Sequence, residues 1–82
     1  MILPTIHLNG TSRASLQADY AAAAHTFEDF IEKWGEIQFN VRDYYVSPDP
    51  DAWENALIER QEMSIKIRDV KKYLNEIREH IY

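Results

Sequence analysis

Apolar residues recur at steps of three and four along two long stretches of this chain, and little in the sequence interrupts them. The first stretch runs through Leu16, Tyr20, Ala23, Phe27, Phe30, Ile31, Trp34 and Ile37. The second runs through Ala56, Arg60, Met63, Ile67, Val70, Leu74, Ile77 and Ile81, alternating steps of four and three without a slip. Such spacing gathers side chains on one face of a helix, and in the second case it is the seam of a heptad. Only two Gly and three Pro occur in 82 residues, so the chain has few places to turn. A few long helices are expected, and the fold class is all-α.

Local signals set the boundaries. Thr11 or Ser12 can cap a helix beginning near Arg13, because either hydroxyl can accept a free backbone N–H of the first turn. The run "YAAAAH" adds helix propensity and small side chains that allow a neighbour to approach closely. Gly35 lies near the end of the pattern, where the last turn is expected to fray or bend. "QFNVRDYYVSPDP" breaks the period with β-branched, aromatic and proline residues, and reads as a structured connection. Asp49 before Pro50 is a start signal: an acceptor at the cap, then a residue preset for the first helical position. The expected layout is one domain, with an extended arm over 1–11, a first helix over 12–38, the connection over 39–49 and a second helix over 50–81.

At ~1.5 Å per residue the second helix would be a rod of about 45 Å. Two such helices joined by about ten residues fold back as an antiparallel hairpin. A hairpin alone leaves part of each apolar stripe in water. Completion of the core by oligomerisation into a helical bundle is the economical solution, so a homo-oligomer is expected.

Composition narrows the function classes. The hydrophobic fraction of 45% with 28% charged residues is that of a globular chain. A net charge of −5 argues against binding a nucleic-acid polymer, which rests on a cationic surface. No stretch approaches the ~18 to 20 apolar residues of a membrane span. "MILPTIHL" lacks a basic n-region and a long apolar run, so it is not read as a signal peptide. Without cysteine there is no disulfide, thiolate ligand or thiol nucleophile. His7, His25 and His80 show no metal-ligand spacing, although a hairpin would bring His7 and His80 to the same end. No phosphate-cradling glycine loop, nucleophile elbow or catalytic triad is recognisable. The chain is expected to be neither an enzyme nor the holder of a cofactor or metal.

Three features stand out from this background. "TIHLNGTSR", residues 5–13, has more donors than a helix cap needs: the Asn9 amide, freed N–H groups about Gly10, the Thr11 and Ser12 hydroxyls, and Arg13. A helix start with such donors suits a phosphate. "RDYY", residues 42–45, places Arg42 beside Tyr44 and Tyr45 in a connection, where an arginine can pair with a phosphate and an aromatic face can stack on a base. A tyrosine packed under the turn, with Arg42 paired to Asp43 or a neighbouring acid, is the structural alternative. Arg60 occupies an otherwise apolar seam position. If the hairpin is symmetric about its connection, Arg60 faces Glu28 and Asp29, and an ion pair is expected there; a ligand contact is the alternative.

Charge is unevenly divided. Through Met63 there are four basic and eleven acidic residues; from Ser64 onward there are five basic and three acidic. The basic members Lys66, Arg68, Lys71, Lys72 and Arg78 are expected beside the start of the first helix, where they would favour an anion.

The segments "IHLNGTS" and "RDYY" together resemble those of small phage and prophage proteins with an N-terminal HLNGTS segment, a long helix, an RDYY-type connection and a second helix. The resemblance spans nearly the whole chain. Here "VRDYYVSPDP" stands where many such proteins have GRDYY, so the turn is expected to differ while the layout is kept. Small oligomeric helical phage proteins include a class that sequesters cyclic nucleotide signals of bacterial immunity. By that analogy the chain would be a non-catalytic nucleotide-sequestering protein in the cytoplasm of an infected or lysogenic host. Phosphates would lie on Asn9, Gly10, Thr11, Ser12 and Arg13, with Arg42 and Tyr44 or Tyr45 supplied by another copy. A helical protein-interaction module, or a structural phage accessory without a small ligand, is the competing expectation.

Overall fold

The computed structural model describes residues 1–81. Two helices carry the fold, α1 over Arg13–Glu36 and α2 over Ala52–Ile81, packed against each other as a hairpin. A short 3-10 turn, Val41–Tyr44, lies in the connection and touches α2. There is no strand among the described residues.

Ser12 caps α1. Its side chain accepts the Ser15 N–H at 3.1 Å, and its carbonyl accepts the first helical bond from Leu16. The helix ends two residues earlier than the sequence suggests. Just after Gly35 the Ile37 N–H turns back to the Trp34 carbonyl at 3.3 Å, and Ile37 itself is extended. Asp49 acts as the start signal for α2: its carboxylate accepts the Asp51 N–H at 2.9 Å. Pro50 and Asp51 form a lead-in turn, so the regular helix begins at Ala52 and not at residue 50.

The register of the hairpin pivots on Asp49. Gln17 donates to the Ile81 carbonyl at 3.0 Å, and each lies 32 residues from Asp49. Trp34 Nε1 donates to Ser64 Oγ at 3.3 Å, each 15 residues away. The connection is thus consumed asymmetrically: most of it continues past the end of α1 and lies beside the first turns of α2. Two expectations fail for this reason. Arg60 does not face Glu28 and Asp29; Glu28 pairs instead with Lys71 at 3.1 Å. The basic residues Lys66, Arg68, Lys71 and Lys72 do not gather at the start of α1, because this register sets them near mid-rod. Lys72 there pairs with Glu76 of its own helix.

The contact face also differs in detail from the one expected. Ala24, not Ala23, is buried, together with Ile77 and Ile81. Leu16, Tyr20, Phe27, Ile31 and Trp34 are half-buried beside it, as are Ala56, Ile67 and Leu74 of α2. Ala23, Phe30 and Ile37, spaced by seven, remain exposed along an edge of α1, as do Met63 and Val70 along α2. One helical neighbour covers only part of a stripe that spans a third of each helix's circumference.

The result is a rod of 60 × 22 × 17 Å with a radius of gyration of 18.6 Å. A compact chain of this length would have a radius near 12 Å. The accessible surface is 6507 Å², against about 5,100 Å² for a compact monomer of this mass. Poorly buried helices with exposed apolar edges are the structural character of this chain. No helix among the described residues is long and apolar enough to cross a membrane.

Candidate ligand-binding segments

The arm folds against the base of the rod through a tight turn. Gly10 N–H donates to the His7 carbonyl at 3.2 Å. The imidazole of His7 lies over Gly10 so closely that a Cβ there would sit 2.7 Å from Nε2, which explains a glycine at this position. Farther out, His80 Nε2 lies 2.9 Å from the Pro4 carbonyl, which can accept its proton and tie the arm to the end of α2. Ile6, His7, Leu8, Gly10, Ser12 and Arg13 then line an open cleft of about 540 Å³.

Of the five residues expected here, Gly10, Ser12 and Arg13 line the cleft, while Asn9 and Thr11 are exposed outside its lining. The Ser12 hydroxyl is already committed, accepting from the Ser15 N–H and donating to Ser15 Oγ at 3.0 Å. His7 joins the lining and was not among the expected residues. Its signal was present only in combination, as an imidazole three positions before the glycine it folds over.

At the opposite end, an aromatic cluster organises the connection. Phe39 packs on Trp53 with centroids 4.8 Å apart, and Tyr44 meets Phe39 edge-on at 5.9 Å and Trp53 at 5.7 Å. Tyr44 is therefore part of the core of the tip, as the structural alternative held. Tyr45 takes no part in these ring contacts and is 69% exposed. Arg42 is exposed, and neither it nor Arg13 has a carboxylate within 4.0 Å among the described residues. Tyr44 and Tyr45 line a second cleft of about 230 Å³ with Val41, Ser47, Asp49 and Trp53.

The two clefts stand at opposite ends of the rod. They are separated by the length of α1, 24 residues or about 36 Å. One copy cannot bring Arg13 and Tyr45 onto one small ligand. No group of three or more His, Cys, Asp or Glu side chains that could hold a metal occurs among the described residues. In three comparisons with known proteins, no family model, no curated protein and no solved structure matches this chain.

Proposed function

We propose that the chain is a non-catalytic, phage-type binding protein that sequesters a small anionic nucleotide, of the cyclic class used as an immune signal in bacteria, between copies of itself. The observation that carries this reading is the placement of two open, donor-bearing clefts at opposite ends of an under-buried rod. His7, the Gly10 turn and Arg13 offer an anion site at the base. Tyr45 offers a free aromatic face at the tip, with Arg42 close by in the chain. Antiparallel association of two rods sets the tip of one against the base of the other and forms a pocket with both functions.

Two quantities favour that association. The surface in excess of a compact monomer is about 1,400 Å² by the size scaling, more than the ~800 Å² per partner of a standard interface. The tip, residues 36–62, holds seven acidic side chains and two arginines, whereas residues 1–20 with 78–82 hold two of each sign. Parallel rods would bring two acidic tips together; antiparallel rods keep them apart. The HLNGTS and RDYY resemblance supports the same reading, and with it a site of action in the cytoplasm of an infected or lysogenic host.

A thermal-shift screen against cyclic mono-, di- and trinucleotides tests it. A ligand at a hundredfold excess over its Kd stabilises the native state by about 2.7 kcal/mol, which in a chain of this size raises Tm by roughly 10 to 20 °C. Arg13→Ala, which removes the cation lining the base cleft, and Arg42→Ala should each remove that shift and leave the oligomer intact. A flat response to every nucleotide, with one host protein recovered on the immobilised chain, would favour the second reading. That reading is a helical interaction module, and the exposed edge Ala23, Phe30 and Ile37 supports it as a groove for a partner helix.

A further inference from the structure

Arg60 has no carboxylate within 4.0 Å among the described residues, yet it is half-buried and held by one carbonyl and two aromatic rings. Its Nη2 donates to the Trp34 carbonyl at 2.9 Å, in the last turn of α1, as a second donor beside the Ile37 N–H. A cation at that helix end also meets the negative pole of the helix dipole. The guanidinium carbon lies 4.0 Å from the centroid of the Trp34 ring and 5.3 Å from that of Phe39. These are cation–π distances, and the planar group suits them better than an ammonium does. Phe39 in turn carries Tyr44 and Trp53.

From this geometry we infer that Arg60 is a positioning residue for the tip. It pins the end of α1, the returning connection and α2 in one arrangement, and thereby fixes the direction in which Tyr45 and Arg42 are presented. Its hydrogen-bond acceptor and the rings it stacks on lie within its own chain, which gives it a structural role at the tip. The inference deepens the nucleotide reading and rests on it for its effect on affinity, but the pin itself can be measured without ligand.

The experiment compares the full chain with Arg60→Lys, Arg60→Met and Phe39→Leu. Lysine keeps the charge and can still donate to the Trp34 carbonyl, but it loses the planar stack. Amide hydrogen exchange over residues 39–46 and the near-UV circular dichroism of the tryptophans are recorded on ligand-free protein. Kd is then measured for whichever cyclic nucleotide of the screen stabilises the wild type most. We expect all three variants to speed exchange at 39–46 at least tenfold and to weaken the nucleotide at least tenfold. Far-UV signal and oligomer mass should be unchanged. If Arg60→Lys matches the wild type in exchange and tryptophan signal, the pin is refuted, whatever the binding result. If the wild type binds no nucleotide while the variants still loosen the tip, the pin stands and the nucleotide reading falls.

Discussion

At the scale of single residues, the side chains that matter most are those whose surroundings leave them one workable arrangement. Gly10 is one, since a methyl group there collides with the His7 ring at 2.7 Å. The obstructing atom is the end of an exposed side chain that can swing away, so Gly10→Ala should be cheap for stability. We expect Tm to move by no more than a few degrees, the range of an ordinary surface substitution, while nucleotide stabilisation falls because the imidazole leaves the cleft. Ile77 is the opposite case. It is 1% exposed, one of three buried apolar residues among the described residues. Ile77→Ala should cost about 2 to 5 kcal/mol, read as a lower midpoint in urea. A midpoint within error of the wild type would show that the base of the hairpin contributes little. Arg60 was legible as an anomaly in its heptad, but its aromatic partners were not, because Phe39 and Trp34 reach it only through the asymmetric return of the connection.

At the scale of elements, capping and spacing made the helices readable and left their register open. Ser12 and Asp49 accept backbone N–H groups where the sequence places the two caps. Ser12→Ala should cost about 1 kcal/mol, a fall of roughly 4 to 8 °C in Tm, and a smaller fall would mean that α1 frays without loss to the hairpin. The apolar period identified both helices because each buries one stripe. It could not say where they pair, because that depends on how many connection residues return beside each helix. The pivot at Asp49, rather than midway along the connection, moved Glu28 from Arg60 to Lys71 and left Lys66, Arg68, Lys71 and Lys72 at mid-rod. The same register explains the choice of Ala24 over Ala23 for the contact. The candidate site was legible as two segments, since donors and aromatics concentrated outside the helical period. Which of their side chains would be spent on structure, as Ser12 and Tyr44 are, depended on packing that spacing does not encode.

At the scale of the whole molecule, the rod is incomplete in a physical sense. Phe30 at 46% and Val70 at 45% exposure belong to the apolar stripes that the two helices would bury in a complete core. In the proposed assembly, association of copies would remove them from water and, in the antiparallel sense, would join the base cleft of one to the tip cleft of another. Phe30→Asp should therefore dissociate the assembly and abolish ligand stabilisation together, although Phe30 lines neither cleft. Light scattering coupled to size-exclusion chromatography tests this claim most directly, at micromolar protein and across a range of salt. The account predicts a discrete species at an integral multiple of the 9.7 kDa chain mass, reduced to the chain mass by Phe30→Asp. A wild-type chain that elutes at 9.7 kDa and still unfolds in one sharp transition would contradict it.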